Sequence, residues 1–338
     1  MTATVMDLRE ARTQLVGGCR PLRVNKRTGE VQVKTKRGFW VNSLLMRDEW
    51  AEVDRAVIEA ARYPLRVVAD LRSRGLTKRL GGIGSVVSRW YTSSEITGAS
   101  VNMTGRGGGE RDLPELIENG VPVPVIFKDF EIDARALEAS RRMGDGLDMT
   151  VVTEATRVVA EGMENLAVNG SPVRLNGQPL YGYRNHPNRN TDTATNFGGG
   201  DWTTIANIIP TVAGMVNAAN ADLQYGPFIL YVSQVQYNEA SLTYYTDGSG
   251  ESPLQRILKM PMIAAVNMLP EVSLPAGELL LVEMAREVAL WAEAVDIQVR
   301  EWASPDGMAD LMKVLAIATP EIKARQDGKS GIVHATGA

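Results

Sequence analysis

The spacing of apolar positions changes several times along this chain, and each change predicts a different element. Over "DEWAEVDRAVIEAARY", Trp50, Val53, Val57 and Ala60 or Ala61 recur every three or four residues. That spacing predicts a helix capped by Asp48 and ended by Pro64, with a second short helix closing near Gly75. Before it, residues 1–40 read as an irregular arm with turn signals at "GG", "RP" and "RTGE" and one short alternating strand, "EVQVKTK". After it, over residues 80–131, the period falls to two. "GSVVSRWYTSSEITGASVNM" alternates β-branched, aromatic and polar residues, "TGRGGGERD" is turn-prone, and "NGVPVPVIFKDFEI" is a second extended segment. This predicts a long β-hairpin with a glycine-rich tip, and Pro122 and Pro124 suit an edge strand.

Helical spacing returns in "DARALEASRRM" and in "LDMTVVTEATRVVAEGMENLAVNG". Val151, Ala155, Val158 or Val159, Gly162 and Leu166 form the expected inner face, Gly144 and Gly146 predict a break, and Asn169-Gly170 is a stop signal. Residues 171–200 are loop-rich. Beyond them the pattern predicts a helix over 201–221, a strand "PFILYVS", and helices "QVQYNEASLTYY" and "PLQRILKM". Strands are expected near "ELLLVEM", "VALWAE", "IQVREW" and "LMKVLAIATPEIKA". No internal repeat is present.

The hairpin carries a physical problem. A strand of about 14 residues spans roughly 46 Å, whereas a compact body of this length has a radius of gyration of about 20 Å. A lone two-stranded ribbon is marginal in water. The hairpin must therefore fold back along its own body or lie on another subunit.

Composition adds little to the class but something to the partners. With 44% hydrophobic and 22% charged residues the chain is an ordinary globular protein. Charged residues in the first fifteen positions exclude a signal-peptide core, and runs such as "PFILYV" are strand-sized rather than membrane-spanning. The single cysteine, Cys19, excludes an internal disulfide framework and points to a reducing, cytoplasmic-type compartment. Residues 1–80 hold 17 Lys and Arg against 9 Asp and Glu, a net of +8, which leaves −12 for the rest of a chain whose net charge is −4. The basic arm is sharpest at Arg20, Arg23, Lys26, Arg27, Lys34, Lys36 and Arg37. It suits nucleic-acid phosphates or an acidic partner surface, and equally a solvated tail, while the acidic body argues against a sequence-specific DNA reader.

No catalytic constellation stands out. Gly328-Lys329-Ser330 is half of a phosphate-binding loop, but Lys323 stands where its first glycine belongs, and "GIVHATGA" cannot start a helix. Gly107, Gly108 and Gly109 read as a flexible tip, since "GRGGGE" is not a dinucleotide fingerprint. The two histidines, His186 and His334, lack metal-ligand spacing and a nucleophile elbow. Paired carboxylates of a glycosidase type are neither favoured nor excluded. No cofactor or metal is expected.

The order of basic arm, helix, glycine-tipped hairpin, long helix and mixed α+β region resembles the Hong Kong 97 phage capsid fold. Tailed-phage major capsid proteins and encapsulin nanocompartments share that fold. The resemblance covers nearly the whole chain and is strongest from "AVNGSPVRLNGQPLYGYRNHPN" through "PFILYVSQVQYNEA", "DIQVREW" and "ATPEIKARQDGKSGIVH", in the order of an encapsulin-like branch. It implies an N-terminal arm with helices (1–79), an extended hairpin loop (80–131), a peripheral domain with a spine helix (132–200), an axial domain (201–290) and a return to the peripheral domain (291–338). It implies many copies assembled as pentamers and hexamers into a virion shell around double-stranded DNA held by charge alone. Portal, scaffolding and decoration proteins would be partners, assembly would take place in a bacterial cytoplasm, and there would be no membrane and no enzymatic activity.

Candidate intersubunit contacts are Trp90, Tyr91, Arg106, Gly107, Gly108, Gly109, Glu110 and Arg111. In the type member a lysine of the extended loop forms isopeptide bonds. Residues 79–127 here contain no lysine, so a non-covalent shell is expected. Two alternatives remain open. One is an encapsulin enclosing enzymes, although the turn-rich start "VGGCRPLRVNKRTGEVQ" suits a cargo-binding helix less well. The other is a nucleotide-using or hydrolytic α/β enzyme, which requires a site that the sequence does not display.

Overall fold

A computed structural model describes residues 22–24, 31–34, 40–42, 47–62, 66–99, 101, 103–104, 113–143, 149–175, 178–245, 250–304 and 309–338. The chain divides into two compact units, residues 1–64, 125–161 and 295–317 in the first and 65–124, 162–294 and 318–338 in the second.

In the first unit the expected helix forms over Arg47–Arg62 (α1). Asp48 lies inside it rather than capping it. The "EVQVKTK" segment supplies Val31–Lys34 (β2), which pairs with Leu22–Val24 (β1) and Trp40–Asn42 (β3) in an antiparallel three-stranded sheet. Val125–Asp133 (β7) runs antiparallel to residues 309–317, with Val125 opposite Ile317 and Asp133 opposite Ala309. Helix Ala134–Met143 (α3) follows, and residues 144–148, where the break at Gly144 and Gly146 was expected, lie outside the described residues. The core of this unit gathers Val53 and Val57 of α1, Val152 and Met312, with Phe130, Ile132, Ile297 and Val299 packed around them.

The long helix is Thr150–Asn169 (α4), ended by Gly170 at φ +69°. Its buried positions include Val152, Ala155, Val159, Met163 and Leu166, while Val151 and Val158 are exposed. The inner face is thus turned by one residue at its start, because the helix begins at Thr150 and Val152 falls on the core side.

The second unit is built on a five-stranded sheet in the order Asn190–Thr193 (β10), Ile332–Thr336 (β16), Glu278–Glu283 (β13), Phe228–Ser233 (β11), Ile263–Leu269 (β12). Every residue of β11 is buried. A strand covered on both faces reads as a continuous apolar run, which is why "PFILYVS" was legible. One face packs Phe228, Leu230, Val232, Leu279, Leu281 and Val333 against helices Ile205–Ala221 (α5), Gln234–Leu242 (α6) and Pro253–Leu258 (α7). Gly214 of α5 lets the backbone at Phe197 lie close against the helix, since a Cβ there would meet the Phe197 carbonyl at 1.8 Å. On the opposite face Tyr231 donates to Asp70 Oδ2 at 2.9 Å, and Asn267 Nδ2 donates to the same oxygen at 2.7 Å. Asp70 belongs to the short helix Val67–Ser73 (α2).

Strand β16 lies between β13 (Leu280 opposite His334) and β10 (Asn190 opposite Val333), so it joins residues 190–193 and 278–283 in one sheet. Burial holds it there: Ile332, Val333 and Ala335 are fully buried. The segments expected as separate strands near "VALWAE" and "IQVREW" form one strand, Ala289–Ala303 (β14). "LMKVLAIATPEI" falls in a second long strand, Ala309–Ile322 (β15).

Glu164 of α4 organises the start of α2. It is 2% exposed and its carboxylate accepts the backbone N–H groups of Arg66 (3.1 Å), Val67 (2.7 Å) and Val68 (3.4 Å). Burial pushes its carboxyl up to about 7 against the pull of these donors. They are the N–H groups that a helix start leaves without intrahelical partners. Glu164→Ala strands them in the interior and lowers stability by about 3 kcal/mol in equilibrium unfolding, whereas Glu164→Gln keeps an acceptor and costs about 1 kcal/mol.

Candidate intersubunit surface

The extended segment 80–131 resolves into two fates. Val87–Ser93 (β5) and Leu116–Pro122 (β6) pair antiparallel from Val87 opposite Pro122 to Ser93 opposite Leu116. The following strand, β7, leaves this ladder for β15. The two-residue break at Val123-Pro124 separates them, so the prolines end a strand and redirect the chain.

Side chains across the ribbon reinforce its register. Asn119 Nδ2 donates to Thr92 Oγ1 at 2.8 Å, and Arg89 pairs with Glu118 at 3.0 Å. Along the ribbon and beyond it the apolar side chains lack cover. Tyr91 is 67% exposed, Leu113 91% and Val101 97%, and Ile96 and Leu116 are also exposed. Exposed apolar side chains gathered along one ribbon and its extension have the pattern of an interaction surface and not of scattered surface residues.

The base of the ribbon is fixed by buried charge. Glu321 of β15 is fully buried and accepts Ser88 Oγ at 2.7 Å and Lys78 Nζ at 2.9 Å, both on Oε2. Lys78, in Thr77–Arg79 (β4), also donates to the Arg89 carbonyl at 2.9 Å. Lys323 Nζ lies 3.2 Å from Oε1 as an ion pair. One carboxylate therefore ties β4 and β5 to β15. A cavity of about 350 Å³ separates the inner face of the ribbon (Trp90, Thr92, Ile117, Asn119) from a wall formed by Pro179, Tyr181, His186 and Asn188 and from Pro320, Ile322 and Arg325.

Of the candidate contact residues, Trp90 is half-buried and faces this cavity, and Tyr91 points to the exposed side. Arg106, Gly107, Gly108, Gly109, Glu110 and Arg111 lie outside the described residues. Of the basic arm, Arg23 and Lys34 occupy β1 and β2, and Arg20, Lys26, Arg27, Lys36 and Arg37 lie outside the described residues. Gly328-Lys329-Ser330 closes a turn: Gly328 has φ +87°, Arg325 N–H donates to the Lys329 carbonyl at 2.9 Å, and Lys329 pairs with Asp327 at 2.7 Å. The next element is β16 and not a helix, so no phosphate cradle forms. Among the described residues no group of three or more metal-ligating side chains converges, and no helix is long and apolar enough to cross a membrane. Sequence reasoning missed Glu321, Ser88 and Lys78, because their partnership spans 233 and 243 positions and has no local signal.

The model of DUF6260, a family of unknown function, matches residues 40–335. The chain belongs to this family. No curated protein matches this DUF6260 member by sequence. Among solved structures it is similar to a virus-like particle from Pyrococcus furiosus, at TM-score 0.61 and 13% identity, over 85% of this chain and 98% of that one. It is also similar to the capsid of Myoviridae phage XM1, at TM-score 0.57 and 14% identity, over 78% and 89% of the two chains. A third similar structure is the capsid of an empty GTA particle, at TM-score 0.57 and 12% identity, over 82% and 92%. The DUF6260 chain has the α+β Hong Kong 97-type capsid fold.

The anchor makes a quantitative expectation. Glu321→Ala leaves Ser88 and two ammonium groups without their shared acceptor and lowers stability by about 3 kcal/mol in denaturant titration.

Proposed function

We propose that this protein is a major capsid protein that assembles in many copies, as pentamers and hexamers, into an icosahedral shell enclosing double-stranded DNA. The observation that carries the reading is the ribbon of β5 and β6. In a chain with a capsid fold, it is anchored at its base by Glu321 and bears an uncovered apolar row. A neighbouring copy supplies the missing cover, and the contact repeats at every subunit of a closed particle.

In this reading residues 80–131 serve as the extended loop, residues 132–200 as the peripheral domain with α4 as its spine, residues 201–290 as the axial domain, and residues 291–338 as the return to the peripheral domain. The tip residues Arg106 to Arg111, with Trp90 and Tyr91, meet the neighbour. The basic arm from Arg20 to Arg37 lies on packaged DNA through phosphate charge or clamps adjacent copies. Portal, scaffolding and decoration proteins are its further partners, the virion is its location after assembly in a bacterial cytoplasm, and its role is structural and not enzymatic. A second reading is a compartment shell enclosing protein cargo, favoured by the likeness to the virus-like particle over 98% of that chain. Nucleic acid in the particles supports the first, and a stoichiometric cargo band supports the second.

Two experiments test the reading. Negative-stain microscopy of the protein expressed alone shows closed shells. Replacing residues 98–112 with an Asn-Gly turn leaves folded subunits that do not close. Shells that form equally well from the shortened chain contradict the proposal. With no lysine in residues 79–127, assembled particles boiled in detergent run as a single monomer band, and a ladder of cross-linked species contradicts a non-covalent shell.

A further inference from the structure

The chain's two histidines, 148 positions apart, are joined through one arginine. Arg189 Nε donates to His334 Nδ1 at 3.3 Å, and Arg189 Nη1 donates to the backbone carbonyl of His186 at 2.8 Å. On its far side His334 Nε2 lies 3.0 Å from Glu278 Oε2. Arg184 grips the same carboxylate with Nε and Nη2, the latter at 2.6 Å. His186 Nδ1 accepts the backbone N–H of Asn188 at 3.3 Å, and its ring meets Tyr181 edge-on, with centroids 5.8 Å apart. The charged groups facing the two rings are Glu278, Arg184 and Arg189. Both histidines are buried.

We propose that Arg189 is an acid-released latch that fixes residues 186–189 to the five-stranded sheet. The chemistry follows from which nitrogen carries the proton. Glu278 accepts from His334 Nε2, so Nδ1 is bare and free to accept from Arg189. A proton taken from solvent at Nδ1 sets donor against donor and places a second positive charge beside the guanidinium. At His186 a proton on Nδ1 likewise removes the Asn188 bond and adds charge next to Arg189. Both events act against the same side chain.

Burial holds His186 neutral down to about 4, with the Arg189 charge adding to the effect. Burial also lowers His334, and the Glu278 hydrogen bond only partly offsets it. Burial alone would raise the Glu278 carboxyl, but the bonds from Arg184 and His334 hold it below the ordinary range. The sign is therefore fixed. An unfolded histidine takes its proton near 6.5 and these two take theirs lower, so their contribution is present above about 6.5 and lost as the pH falls toward about 4. Arg184 grips Glu278 through bonds that involve neither histidine, so the segment opens from its 186–189 end. That end carries His186, Pro187 and Asn188, which form part of the cavity wall beneath the β5–β6 ribbon. If the shell reading holds, acid would loosen the footing of the ribbon in the particle. The latch itself is a property of the single subunit.

Hydroxyl-radical footprinting of unassembled full-length protein reads the latch without reference to assembly. Labelling of Tyr181 rises severalfold from pH 7 to pH 4 and returns on neutralisation, while buried Tyr231 stays protected as the control. In the double variant His186→Gln, His334→Gln, whose amides donate and accept without titrating, Tyr181 labelling stays at its pH 7 level throughout. Arg189→Met shows the high labelling already at pH 7. A wild type without the rise, or a double variant that rises like the wild type, overturns the proposal. Should the double variant fail to fold, a nitrogen NMR titration of the wild-type histidines decides. Both protonating well below the ordinary value supports the latch, and either protonating near 6.5 overturns it.

Discussion

In a two-stranded ribbon each strand offers one hydrogen-bonding edge to its partner and leaves the other to solvent, and neither face has a second layer to cover it. The β5–β6 ribbon lives under that constraint, and the rest of the second unit is arranged to bear it. It cannot be stable by its own contacts. It is held instead at one end, where Glu321 collects Ser88 and Lys78 in a fully buried site. Beyond the anchor nothing among the described residues covers Tyr91, Val101 or Leu113. In the proposed shell another copy supplies the missing contacts.

Carboxylates tie segments together elsewhere in the second unit, one buried (Glu164) and two half-buried (Asp70 and Glu278). Glu164 takes three backbone N–H groups at the start of α2, Asp70 of α2 takes the hydroxyl of Tyr231 and the amide of Asn267, and Glu278 takes Arg184 and His334. Each acid ties a segment that the sheet alone would not hold. Because a carboxylate withdrawn from solvent needs donors in its place, these ties specify position more than they add stability. They set where α2, the ribbon and the 181–190 segment stand relative to the five strands.

How much of this was legible in the sequence follows from the range of the interaction. The α1 helix, the α4 stop at Gly170 and the all-buried β11 are written in local spacing and were read from it. The turn at Gly328 was equally readable, because no helix can follow it. The strands β12 and β16 were not. Only the two ends of β12, Ile263 and Leu269, are buried, and β16 carries His334 in mid-strand, so its place between β10 and β13 depends on partners far away in sequence. The split of "NGVPVPVIFKDFEI" between β6 and β7 was hidden for the same reason, since only pairing with β15 separates the halves. Glu321 and Glu164 look like ordinary acids until strand and helix bring Ser88 and Val67 to them.

The central claim is that the ribbon finishes its folding on a neighbouring copy. The most direct test is a cryo-EM reconstruction of the assembled protein in which the density of the ribbon is traced for each subunit. The account predicts that Tyr91, Val101 and Leu113 lie against an adjacent subunit at every position in the particle. A ribbon folded back over its own body, with those side chains covered by their own chain, would contradict it.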